Sequence, residues 1–229
     1  MSQTFDAYRK TYGNTVEQSV AFTGLTHDFF LRAKADLLRE RLAERGFDPA
    51  DKHLLDVGCG IGLMHDLLNP TFGAVSGVDV SVESVAEARC RHPLNAYLTY
   101  GGEHLPFDDN AVDAALAVCV VHHVPVAQWP AFVAEMRRVV RPGGIVCIIE
   151  HNPLNPLTQL GVSRCAFDAD AVLLGAKRVE ALMRMAGIID IETRYFLLSP
   201  FEMKPLRAME RVLARLPLGG QYLTMGTVR

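Results

Sequence analysis

The sequence predicts an α/β fold, a doubly wound sheet of seven strands with helices between them, and three observations carry that prediction. A short apolar run, Leu54, Leu55 and Val57, leads into a turn containing Gly58, Gly60 and Gly62. Strand-like runs then alternate with helical spacing through five βα units. After these come one more helix and two more strands.

Taken in order, the first 30 residues form an aromatic-rich lead-in with Phe5, Tyr8, Tyr12, Phe22, Phe29 and Phe30. From Asp28 to Arg45, Phe29, Leu31, Ala35, Leu38 and Leu42 recur at helical spacing, and Gly46 is placed to end that helix. Strand one is the run from His53, and a helix is expected soon after the glycine turn, through Leu63, Met64, Leu67 and Leu68. Strand two, Ala74 to Val80, closes on Asp79, with Ser81 able to cap the following helix unaided. Strand three is short, from Asn95 to Tyr100. Strand four, Val112 to Val121, is apolar enough to be buried on both faces and finishes at His122 and His123. A helix over Trp129 to Val140 stops at an Arg-Pro-Gly-Gly turn, 141 to 144, before strand five at 145 to 150. Beyond it lie a helix with Val179, Leu182, Met183 and Met185, a strand from Ile188, an apolar helical stretch from Pro200 to Leu216, and a closing strand after Gly219 and Gly220.

A strand, a glycine turn and a helix start present backbone N–H groups and a bare surface, which suits a nucleotide-like cofactor or serves only as a tight turn. Asp79 lies about 20 residues past that turn, where a carboxylate can accept from both hydroxyls of a ribose or cap a helix. His122 and His123 invite a role as base or metal ligand. Neighbours on a strand point to opposite sides, so one at most should face a pocket, and without Asp, Glu or Cys at ligand spacing no metal is expected. His151, Asn152 and Asn155 follow strand five, where they either touch substrate or satisfy local backbone.

Together these motifs resemble the class I S-adenosylmethionine-dependent methyltransferases, of the group similar to the ubiquinone and menaquinone C-methyltransferases. LLDVGCGIG resembles the first motif of that family, VSGVDVS its ribose motif, EHLPFDDNAVD the approach to strand four and RPGG the turn before strand five. The resemblance covers residues 53 to 150 and implies a Rossmann-like mixed sheet of seven strands with an antiparallel last strand and an N-terminal helical cap. It implies S-adenosylmethionine as cofactor and S-adenosylhomocysteine as product. Asp56, Gly58, Cys59, Gly60 and Gly62 would surround its methionine portion, Asp79 its ribose, and Val80 its adenine, with Cys119 nearby at the end of strand four. Gly101 stands where the family often has an Asp, leaving backbone at Gly101 and Gly102 or the Glu103 side chain for that role.

Methyl transfer from a sulfonium is an in-line displacement that needs alignment and dryness, with a base only for some acceptors. His151 is the first candidate base, followed by Tyr12, His122 and His123. The expected arrangement is one domain over 1–229: a helical cap at 1–48, a cofactor-binding core at 49–198, a possible substrate cap at 199–220 and the last strand at 221–229. In that cap, Phe201, Met203, Leu206, Met209, Val212, Leu213 and Leu216 would cover a small, partly apolar acceptor or form the underside of a surface helix.

Composition narrows the classes. A net charge of −3 and the lack of an NPPY-like site after strand four argue against a nucleic-acid partner. Five scattered cysteines, no signal-peptide core and no long apolar run point to a cytoplasmic protein without a membrane-spanning segment. Two readings compete: a non-catalytic methyltransferase-like binding subunit, and a nicotinamide-dependent oxidoreductase. The latter is disfavoured because the glycines run GxGxG rather than GxGxxG.

Overall fold

The computed structural model describes residues 26–165, 168–198 and 212–229. Helix α1 spans His27–Glu44, with Thr26 accepting from the Phe29 N–H as its N-cap, and Gly46 follows it at φ +68°. Strand β1 is His53–Val57, α2 His65–Leu68, β2 Ala74–Asp79, α3 Val82–Arg91 and β3 Ala96–Thr99. Then come β4 at Val112–Val118, α4 at Trp129–Val139, β5 at Val140–His151, α5 at Pro156–Arg164, α6 at Ala176–Met185, β6 at Ile188–Phe196 and β7 at Gln221–Val228.

The seven strands form one sheet in the order β3-β2-β1-β4-β5-β7-β6. Strands β1 to β5 pair in parallel, while β7 runs antiparallel between β5 and β6. The chain leaves β1 toward β2 and returns on the other side as β4, so the order reverses there, and such crevices at the carboxyl edge are where open α/β sheets bind ligands.

Alternation along the strands sorts side chains onto two faces. Leu55, Val57, Ala115, Ala117, Val146 and Ile148 pack with Phe132, Val133 and Met136 of α4 and Val179 and Leu182 of α6. On the other face, Leu54, Ala114, Leu116, Cys147, Ile149 and Leu223 pack with Ala35, Leu38 and Leu42 of α1 and with Leu68. Burial on both faces explains why the central strands read as unbroken apolar runs.

Three expectations need correction. The helix after the glycine turn is the four-residue α2 alone. Arg141 to Gly144 lie within β5, because Val112 pairs with Val140 while Ala114 pairs with Ile145 and the extra residues bulge between them. Met185 closes α6 from the outside, 71% exposed. The N-terminal segment up to residue 25 and most of the expected substrate cap, 199 to 211, lie outside the described residues.

Ser81 caps α3 as expected, its hydroxyl accepting from the Ser84 N–H at 3.1 Å. Removing that bond in Ser81→Ala should cost about 1 kcal/mol, a loss of stability that chemical denaturation would resolve.

Candidate functional site

The site begins where β1 ends. Gly58, Gly60 and Gly62 adopt φ of +81°, +53° and +76°, the left-handed region that costs other residues energy. The turn is pinned to β2, as Gly58 N–H and Cys59 N–H both donate to the Val78 carbonyl, at 2.8 and 3.0 Å. Each glycine has different surroundings. A β-carbon at Gly58 would lie 2.5 Å from Val120 Cγ2, whereas one at Gly60 would meet nothing within 4 Å. The turn thus packs tightly against the loop after β4 and leaves open space beside Gly60.

Asp79 faces this turn. Its carboxylate accepts from Gly60 N–H at 2.8 Å through Oδ2 and from Ser81 N–H at 2.9 Å through Oδ1. Burial pushes this carboxyl above its usual range, against the pull of those backbone donors. Cys59, also within the turn, is a free thiol that burial raises well above its ordinary pKa. Asp56 points elsewhere: it is 3% exposed, and its Oδ2 accepts from His65 Nε2 at 3.1 Å. The other ring nitrogen of His65 then accepts from the Tyr97 hydroxyl at 2.5 Å. This buried chain lies under Gly62, whose carbonyl is also 3.0 Å from His92 Nε2. No sequence pattern singled out His65, His92 or Tyr97, because they meet only once α2, α3 and β3 are assembled.

Beyond β3, Val80 and Gly102 come together. A β-carbon on Gly102 would stand 3.6 Å from Val80 Cγ1, and one on Gly101 would meet nothing within 4 Å. Glu103 is exposed. The rest of this loop is fastened to α4, with Leu105 N–H donating to Glu135 at 2.9 Å and Arg138 donating to the carbonyls of Leu105 and Phe107 at 3.1 and 2.8 Å.

The histidines after β4 depart from expectation. Cys119 takes φ +56° and ends the strand at Val118, so His122 and His123 lie on the 3₁₀ turn Val121–His123. On that turn both rings, not one, approach the same group: Asp168 Oδ1 is 3.5 Å from His122 Nε2 and 3.4 Å from His123 Nε2. Behind them, Glu150 at the end of β5 bonds His122 Nδ1 at 2.5 Å and accepts from Val121 N–H at 2.7 Å. Burial works against charge on His122, yet Glu150 and Asp168 outweigh it and hold the ring well above its ordinary pKa. Burial instead lowers His123 and His151 to about 4. His151 Nδ1 lies 3.3 Å from Gln221 Nε2, and the same amide is 3.6 Å from Cys119 Sγ, a thiol raised by burial. Glu150 could have been suspected from sequence as a charge closing an apolar strand. Asp168 carried no such signal.

Asn152 and Asn155 satisfy backbone. Asn152 donates to the carbonyls of Pro217 and Gly219, and Asn155 caps α5 and donates to Leu218 O. They hold 217–219 beside α5, where Leu154, Leu157 and Leu218 are 67%, 60% and 51% exposed. Tyr12 lies outside the described residues. Among the described residues, no helix is long and apolar enough to cross a membrane.

Comparison with known proteins agrees with this arrangement. Residues 55–148 match the family model described as a methyltransferase domain. The malonyl-[acyl-carrier protein] O-methyltransferase of Serratia marcescens is 33% identical over 153 residues, 65% of this chain and 55% of that protein. The demethylmenaquinone methyltransferase of Tropheryma whipplei is 34% identical over 106 residues, 44% of each chain. The chain thus spans about half the length of the curated relatives it matches. In fold it is similar to a crystal structure from Thermotoga maritima described as a SAM-dependent methyltransferase, possible histamine N-methyltransferase. That similarity has a TM-score of 0.71 at 19% identity, covering 97% of this chain and 98% of the other. With its methyltransferase domain matched at 55–148, its mixed sheet of seven strands and its acid-ended second strand, the chain is similar to the class I S-adenosylmethionine-dependent methyltransferases.

Proposed function

We propose that this protein transfers a methyl group from S-adenosylmethionine to a small, partly apolar acceptor. The observation that carries the reading is the 2.8 Å hydrogen bond from Gly60 to Asp79, which sets a carboxylate beside a glycine surface open to a ligand. Asp79 has lone pairs left for ribose hydroxyls. Gly58, Cys59, Gly60 and Gly62, with Asp56 beneath, would hold the methionine portion, while Val80, Gly102 and Glu103 would border adenine and Cys119 the floor. Bound there, the cofactor supplies an electrophilic methyl group.

The chain must align the acceptor and exclude water. The loops after β4 and β5 follow adjacent parallel strands at one sheet edge, which supports giving them this role. Where the acceptor has to lose a proton, His151 is the residue we assign, since burial keeps its ring neutral and able to accept one. His122, held protonated between carboxylates, is poorly suited as a base. His123 is neutral but tied to Asp168, and Tyr12 remains a candidate on sequence alone. The exposed leucines of 154–160 and 216–218 support an apolar element in the acceptor. O-, C- and N-methyltransferases all occur among the similar proteins, so the acceptor atom does not transfer from them. A net charge of −3 favours a small molecule over nucleic acid, and five free cysteines fit a reducing cytoplasm. We take residues 1–229 as one domain with the acceptor-side segments at 1–48 and 199–220.

Calorimetric titration tests this reading. S-adenosylmethionine and S-adenosylhomocysteine should each bind at one per chain, and NADH should give no heat of binding. Binding of NADH alone would replace the methyltransferase reading with an oxidoreductase one. Cofactor binding without turnover over a panel of small hydroxyl, amine and acidic-carbon acceptors would favour a non-catalytic subunit.

A further inference from the structure

We infer that His122, His123 and Asp168 form a site for a divalent transition-metal cation of the zinc type, with Glu150 orienting one of its ligands. The two histidine nitrogens lie 3.5 and 3.4 Å from one carboxylate oxygen, and the three ligand atoms fall within 4.8 Å of one another. Those separations are long for N–H···O bonds, which favour about 2.7–3.2 Å. They match the edge of a tetrahedron whose centre is about 2.0–2.1 Å from each corner, the bond length zinc takes to imidazole and carboxylate.

A second observation is independent of that geometry. A histidine that binds a metal through one nitrogen usually gives the other N–H to a carboxylate, which fixes tautomer and ring orientation. Glu150 fills that place, 2.5 Å from His122 Nδ1 and itself anchored by the Val121 N–H, in a site where His122 and Glu150 are 2% and 0% exposed. The loop bearing Asp168 is also fixed, with Val172 N–H donating to the His122 carbonyl at 2.9 Å and Ala171 N–H to that of Asp168 at 3.0 Å. A bound cation would displace the proton from His122, and two neutral imidazoles with two carboxylates would then supply two negative charges, which balance a dication.

Three protein ligands leave a fourth position open, as catalytic rather than structural sites do. Its use to hold an acceptor oxygen rests on the methyl-transfer reading; the metal site itself does not.

The test is titration of chelator-treated full-length protein with zinc chloride, followed by calorimetry and by metal analysis after dialysis. One zinc per chain is expected. Asp168→Asn and His123→Ala should each lose about a hundredfold in zinc affinity, and Glu150→Gln about ten- to a hundredfold. Cobalt(II) should give the strong visible bands of four-coordinate geometry in the wild type and lose them in His123→Ala. S-adenosylhomocysteine affinity, measured in the same variants, reports folding and the cofactor site separately. Wild-type protein that retains no zinc overturns the inference and leaves a purely ionic cluster. Zinc binding that survives in both ligand variants places the metal elsewhere and also overturns it.

Discussion

Asp79→Ala should weaken S-adenosylmethionine binding by more than a hundredfold while the protein stays folded. The carboxylate would accept from ribose hydroxyls, and charge-assisted bonds of this kind contribute about 1.5–3 kcal/mol each, so losing two exceeds the roughly 2.7 kcal/mol that a hundredfold represents. The fold itself has less at stake. Burial holds the Asp79 carboxyl above its usual range, so the folded protein disfavours its charge even with Gly60 and Ser81 donating to it. Ligand hydroxyls would offset that burial cost. Asp79→Asn keeps the shape and one acceptor but not the charge, and should fall between wild type and alanine. Ser81→Ala provides the control, because it loosens the cap of α3 without touching the carboxylate. Calorimetry alongside thermal unfolding separates the two losses, and an Asp79→Ala protein that binds within about threefold of wild type would sink the ribose assignment.

How far the sequence can be read depends on how local each feature is. The turn at Gly58 to Gly62 and the acid at Asp79 were legible because both follow directly from strand ends, and a parallel pairing brings adjacent strand ends to one edge. The unbroken apolar runs at Leu116 and Ile148 marked central strands for the same physical reason, burial on both faces. The histidine cluster was not legible. His122 and His123 seemed to continue β4, and only the left-handed Cys119 converts that continuation into a turn that sends both rings toward Asp168. Asp168 comes from a segment with no periodic pattern, placed by its contact with the His122 backbone. Arg141 to Gly144 misled for a different reason. A proline and two glycines signal a turn, but here strand pairing resumes on both sides of a bulge.

The neighbouring glycines of the turn should fail in opposite ways when substituted. Gly58→Ala requires φ +81° of a residue with a side chain, at about 1–2 kcal/mol, and drives its β-carbon to 2.5 and 2.7 Å from the two γ-methyls of Val120. A branched side chain has few rotamers in which to retreat, so the overlap adds about 1–3 kcal/mol and the total loss of stability should reach about 2–5 kcal/mol. Val120→Ala in the same chain should restore the overlap part and leave the backbone part, a coupling that a double-mutant cycle measures directly. Gly60→Ala differs. At φ +53° alanine is strained by about 1–2 kcal/mol, but its β-carbon meets no protein atom within 4 Å. That carbon would enter the space assigned here to the cofactor. Gly60→Ala should therefore bind S-adenosylhomocysteine at least tenfold more weakly, with no rescue by Val120→Ala. Equal rescue of both glycine variants would mean that the space beside Gly60 closes in solution, and the cofactor would have to lie elsewhere along the sheet edge.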